Sequence, residues 1–236
     1  MSKLITSGCS WTLGGSDGPS SWPLFLAKKL GMECLNLGSN GAGNEYIFLS
    51  IFDAIMKEKH SEIGLVVVMW SDWTRWDFEL NDELPLTKCM EALLDRKITR
   101  PLKDQLMELN FTARKKSLRY IYMFQELMEH KNIPYMHIQG IRPDWHPQEV
   151  RNTKELRNVE LRAILRNIYL DKIKENKFIW WPPFTQLGGM YMDLFLNELD
   201  PEEQWLYVHT PSPHPNKEGY RIIADYLFRK IKEEYG

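Results

Sequence analysis

Two residues at opposite ends of the chain have the chemistry of nucleophilic attack. Ser10 lies in "LITSGCSWTLGG", where a short apolar run opens into glycine, cysteine and serine, and His214 lies in "TPSPHPNKEGY", close to the C-terminus. A serine hydroxyl attacks a carbonyl only when a positioned base removes its proton, and imidazole titrates near neutrality, so a serine and a histidine form the minimum pair. A third stretch, "NLGSNGAGN", supplies backbone amides that can come close to a developing negative oxygen, because glycine has no β carbon in the way. The donors expected are Ser10 N–H and Gly41 N–H. Cys9, next to the serine, reads as a small buried thiol.

Such residues act together only on a frame that brings position 10 to position 214. "KLITSG" reads as a strand, "WPLFLAKKLG" as a helix ending at Gly31, "CLNLG" as a short strand, "NEYIFLSIFDAIMKEKH" as an amphipathic helix and "GLVVVMW" as a strand buried on both faces. This βαβαβ pattern predicts a parallel sheet with helices on both faces. A charged helical stretch over about 80–132 leads to a fourth strand, "IPYMHIQG". Another helical block, "KELRNVELRAILRNIYLDKIKE", precedes the irregular "FIWWPPFTQLGGMYM". "QWLYVHT" reads as a fifth strand or extended chain, and "KEGYRIIADYLFRKIKEEY" as a closing helix. The expected fold is an α/β/α three-layer sandwich on a parallel sheet of about five strands, one domain over 1–236, with helical insertions at about 80–132 and 148–200.

In an open parallel sheet, ligands bind beyond the carboxyl ends of the strands. That rule selects "SGCSWTLGG", "GSNGAGN", "WSDWTR" and "HTPSPHPNKEG", the segments that hold the unusual residues. In this order they resemble the SGNH hydrolase superfamily, also called GDSL esterases and lipases, from residue 4 to 236. The resemblance implies Ser10 as nucleophile in Gly8-Cys9-Ser10, Gly41 as an oxyanion donor, and His214, followed by a proline and a downstream glycine, as general base.

Two blocks depart from the family pattern. Its Gly-x-Asn-Asp block is here Trp70-Ser71-Asp72-Trp73, so Ser71 or Arg75 must supply the third oxyanion contact, or the hole has two donors. Loss of one donor typically costs about 10² to 10³ in rate. Three positions before His214 stands Pro211 instead of aspartate, which leaves a Ser–His dyad, with Asp17 and Asp200 as candidate orienting acids. His146 in "RPDWHP" is a competing base on the same rim. His60, His130, His137 and His209 show no paired ligand spacing, so neither metal nor cofactor is expected.

With 236 residues, 43% of them apolar, and a formal net charge of -2, the chain reads as globular, and nothing in its composition favours nucleic acid. Cys9, Cys34 and Cys89 have no CxxC spacing, and no segment reaches the roughly 18 apolar residues of a membrane span, so a reducing, cytoplasmic setting is expected. Nine tryptophans are unusual, and three cluster in "MWSDWTRW". Trp73, Arg75 and Asn44 are the expected substrate-binding residues, with Trp76, Trp180 and Trp181 as further stacking surfaces for a sugar or a base. The expected activity is hydrolysis of an ester, narrowed to O-acetyl or small-acyl groups on a carbohydrate. The alternative is a catalytically decayed module that binds a glycan or nucleic acid.

Overall fold

The computed structural model describes residues 1–14, 20–79, 85–89, 100–143, 162, 164–202, 206–208 and 214–236. Its main sheet contains β1 (Lys3–Ser7), β2 (Glu33–Asn36), β3 (Ile63–Trp70), β6 (Tyr135–Gln139) and β7 (Phe178–Ile179), in the order β2-β1-β3-β6-β7. Every neighbouring pair is parallel. β3 and β6 are buried from Leu65 to Trp70 and from Tyr135 to Gln139, as expected of strands covered on both sides. The small antiparallel pairs are β4 (Arg75–Glu79) with β5 (Pro85–Cys89), and β8 (Tyr207–Val208) with β9 (His214–Pro215).

Among the described residues the α-helices are α1 (Ser10–Leu13), α2 (Trp22–Leu30), α3 (Asn44–Lys57), α4 (Arg100–Lys131), α5 (Met192–Leu199) and α6 (Lys217–Tyr235). α2 packs with α6 and α3 with α4, which completes a three-layer α/β/α sandwich. α2 ends where expected, on left-handed Gly31 with φ 66°, whose N–H returns to the carbonyls of Ala27 and Lys28.

The order of the strands reverses between β1 and β3, so the crevice at the carboxyl end of the sheet opens between the loops that follow them. Ser7 of β1 is in register with Val68 of β3, so Ser10 and Ser71 each stand three residues beyond the last paired position.

Two expectations are corrected here. The charged stretch from 80 is not helical throughout, because the β4–β5 hairpin intervenes before α4. The fifth strand of the sheet is Phe178–Ile179, inside the stretch read as irregular, whereas Tyr207–Val208 of "QWLYVHT" pairs with His214–Pro215. Both elements are two residues long, too short to show a period. Of the helical block before "FIWW", residues 154–161 and 163 lie outside the described residues.

Candidate active site

α1 is a single helical turn, in which the Cys9 carbonyl accepts from Thr12 N–H (2.8 Å) and Leu13 N–H (3.0 Å). Ser10 is its first residue, half-buried, directly beyond the Gly8-Cys9 corner. Asn36, at the end of β2, fastens this turn: its Nδ2 donates to the carbonyls of Thr12 (2.9 Å) and Leu13 (3.4 Å), while its Oδ1 accepts from Gly38 N–H (3.0 Å). Those carbonyls lie past the last internal bond of the turn, so the asparagine acts as a C-terminal cap from another strand. The loop after β2 continues along β1, Leu37 N–H on Thr6 O (2.8 Å) and Ser39 N–H on Gly8 O (3.0 Å). Gly41 follows in this loop with φ 71°. Cys9 is a buried free thiol, as expected.

His214 arrives from the other end of the chain. Its Nε2 lies 2.7 Å from Ser10 Oγ. The segment that carries it is braced on both sides. Buried Asp200 accepts from Leu206 N–H (2.8 Å) through Oδ2, and the Leu206 carbonyl accepts from Asn216 N–H (2.8 Å). Asn216 then caps α6, its Oδ1 accepting from Glu218 N–H (2.9 Å) and Gly219 N–H (3.0 Å). The downstream glycine has a steric reason: a β carbon on Gly219 would stand 2.6 Å from the Leu206 carbonyl oxygen.

The loop after β3 is held by a closed ring of hydrogen bonds. Ser71 N–H donates to Asn44 Oδ1 (2.8 Å), Asn44 Nδ2 to Ser117 Oγ (3.0 Å), and Ser117 Oγ to the Trp73 carbonyl (3.2 Å). Trp73 Nε1 donates to Gln139 Oε1 (2.9 Å), and Gln139 Nε2 returns to the Ser71 carbonyl (2.8 Å). All five residues are buried. A closed buried network of this kind favours one geometry, because any rearrangement strands a further polar group in low dielectric.

This ring revises several expectations. Trp73 is 0% exposed and meets Phe184 edge-on at 5.1 Å between ring centres, so it is a core residue with no face for a substrate. Asn44 is committed to Ser71 and Ser117. The Ser71 hydroxyl has no hydrogen-bond partner among the described residues and is enclosed, out of reach of a substrate oxygen in this arrangement. Arg75 Nη1 donates to the Ala42 carbonyl (3.3 Å), beside Gly41. Asp72, at the family's asparagine position, accepts from Thr74 N–H and Thr74 Oγ1, both 2.8 Å, through Oδ1. Burial pushes its carboxyl above the usual range, against the opposing pull of Thr74, Arg75 and Arg114.

Trp76 lies under the Lys116 ammonium, 4.6 Å from the ring centre. Trp180 packs on Tyr226 and Phe195 at 4.8 and 5.4 Å. It lines a groove of about 330 Å³ along the β7 edge, bounded also by Tyr226, Phe178 and Glu233 but by neither Ser10 nor His214. Asp17, His146, His209 and Pro211 lie outside the described residues. Among the described residues no cluster of three or more His, Cys, Asp or Glu could hold a metal, and no helix is long and apolar enough to cross a membrane.

Sequence reasoning missed Asn36 and Gln139. Each is an amide at the carboxyl end of a strand of the parallel sheet, in "ECLN" and "YMHIQ", and that position is the signal.

No protein-family model and no curated protein matches the sequence. Solved structures do match. The lipase Lip_vut3 from a goat rumen metagenome aligns with 98% of this chain and 97% of its own, at 11% identity and a TM-score of 0.54. LAE5, an α/β hydrolase enzyme from the metagenome of Lake Arreo, Spain, covers 100% of this chain and 97% of its own, at 12% identity and a TM-score of 0.50. A member of the lipolytic protein G-D-S-L family from Veillonella parvula DSM 2008 covers 100% and 98%, at 19% identity and a TM-score of 0.48. Likeness at such identities is one of fold. With the strand order β2-β1-β3-β6-β7 and helices on both faces, the chain has the α/β/α architecture of the SGNH hydrolases and of flavodoxin-like proteins.

Proposed function

We propose that this protein is a serine hydrolase that cleaves an ester, with Ser10 as nucleophile and His214 as general base. The observation that carries the reading is the 2.7 Å contact between His214 Nε2 and Ser10 Oγ, made across 204 residues of sequence at the switch point of the sheet. In the first half-reaction Ser10 Oγ bonds to the carbonyl carbon while His214 Nε2 takes its proton. The carbonyl oxygen becomes an oxyanion facing the N–H groups of Ser10 and Gly41. Collapse expels the alkoxide, which receives the proton from His214. Water then attacks the acyl-Ser10 carbonyl, gives its proton to His214, and the same proton returns to Ser10 as the acid departs.

The hole has two backbone donors in this reading, since Ser71 is enclosed and Asp72, when ionised, would repel the oxyanion. The finer proposal is a small-acyl or O-acetyl ester on a carbohydrate. Its support is narrower with Trp73 in the core, and it rests on Trp76 as the aromatic face that follows β3.

A fluorophosphonate probe tests the reading, because only an activated serine is phosphonylated. The native protein is expected to take up one label on the peptide containing Ser10, and Ser10→Ala and His214→Ala to take up none. An unlabelled native protein would favour a binding module on this fold, and a labelled Ser10→Ala would move the nucleophile elsewhere.

A further inference from the structure

The β4–β5 hairpin reaches back to the loop that carries Gly41. Arg75 and Asp77 are two residues apart on β4 and so share a face of the strand. Arg75 Nη1 donates to the Ala42 carbonyl (3.3 Å), and Asp77 Oδ1 accepts from Gly43 N–H (2.8 Å). That carbonyl and that N–H are the two polar ends of one peptide group. The second carboxylate oxygen, Oδ2, accepts from Tyr46 N–H (2.9 Å) in the first turn of α3. Gly43, the residue before that helix, has no side chain with which to satisfy the amides there, and the carboxylate does so from a different element. The fit leaves no slack: a β carbon on Gly43 would stand 2.6 Å from Asp77 Oδ2 and 3.1 Å from Arg75 Cβ.

We infer that Asp77 and Arg75 are positioning residues, which grip the Ala42–Gly43 peptide by both polar atoms and thereby anchor the 39–42 turn that aims the Gly41 N–H. The inference rests on the ester-hydrolase reading. A planar peptide held at its oxygen and its nitrogen cannot rotate. Gly41 N–H lies two peptide groups before it, and the group between is tied in turn, since Ala42 N–H donates to the Ser39 carbonyl (3.3 Å), so the turn that carries Gly41 is closed on itself and gripped at its far end. A donor aimed at a developing charge is valuable only when its orientation is set before the reaction. The pairing also has an electrostatic logic: the Asp77 carboxylate alone would disfavour a nearby oxyanion, and the Arg75 guanidinium on the same face offsets it.

The test compares kcat and KM for p-nitrophenyl acetate, and inhibition by a boronic acid whose tetrahedral serine adduct places an oxygen in the hole, in the native chain and in Ser10→Ala, Asp77→Ala and Asp77→Asn. Asp77→Ala is expected to lower kcat by about 10- to 100-fold, as for a misdirected catalytic group, with KM little changed and boronate affinity weakened in parallel. Asp77→Asn keeps one acceptor oxygen and should recover part of the loss. It also stands in if the alanine variant does not fold. A merely structural role would lower the melting temperature and leave kcat and boronate affinity intact, which would overturn the inference. Full turnover by Ser10→Ala would overturn the nucleophile reading and the inference with it. An inactive Ser10→Ala beside an unimpaired Asp77→Ala would overturn the inference alone.

Discussion

The amide of Asn44 clasps the main chain of Ser71, with Oδ1 on the N–H at 2.8 Å and Nδ2 towards the carbonyl at 3.4 Å. One side chain at the head of α3 thus sets the path of the loop after β3. Asn44→Ala leaves the buried Ser71 N–H without an acceptor, a loss of about 1–3 kcal/mol. Urea denaturation should show a lower midpoint at an unchanged slope. KM for an ester should stay as in the native protein, because Asn44 faces the loop and not the substrate.

Trp73→Ala removes a fully buried indole and strands the Gln139 carbonyl oxygen. The expected cost is about 3–5 kcal/mol, read by thermal or chemical denaturation. A variant of native stability with a raised KM would return Trp73 to the substrate.

His137 is fully buried among Trp70, Phe124 and Phe178, with its Nδ1 accepting from Trp70 Nε1 at 3.0 Å. Burial pushes its pKa down to about 3. The unfolded chain therefore binds a proton at this site between about pH 6.5 and 3 that the folded chain does not, and stability falls as pH falls through that window, by up to about 1.4 kcal/mol per pH unit. Glu129, held low by Lys174, Tyr135 and Lys177, adds a loss of the same sign further into acid. His137→Gln, which cannot titrate there, should show a shallower decline between about pH 6.5 and 4.5 in urea denaturation.

Asp72→Asn restores the amide of the family pattern and keeps an oxygen for Thr74. The carboxyl is raised by burial, so the folded state disfavours its charge. The variant should be more stable than the native protein at neutral pH, with the difference shrinking as acid protonates Asp72 in the folded chain. Equal stability across the range would mean that Arg75 and Arg114 fully compensate the charge.

The frame was legible wherever periodicity had room to operate. β1, α2, α3, β3, β6 and α6 lie within a few residues of the stretches that read as strand or helix, and Gly31, the Pro215 step and Gly219 punctuate them. That Ser10 and His214 meet was legible from the order of their loops on an α/β frame, and the two side chains lie 2.7 Å apart. The remainder was set by tertiary context. Trp73 looked like a stacking surface because a tryptophan beside a rim loop and one beneath it have the same local sequence, and only Gln139, 66 positions away, decides between them. The hairpin partner of Arg75 and Asp77 carries too weak an alternation to stand out from charged helix, and β7 is two residues long.

His214, the base in the proposed reading, is carried on slighter foundations than Ser10. Ser10 follows a strand in the middle of the sheet, paired on both sides, whereas the strand that carries His214 pairs over two residues with Tyr207–Val208 and is braced beyond them through Leu206 and Asn216. Local opening is cheapest where few backbone bonds must break, so amide hydrogen exchange should report the Tyr207, Val208 and His214 amides as opening before those of β1. Warming would then unhook the histidine while the sheet is still intact, and the temperature at which turnover declines would lie below the one at which the fold melts.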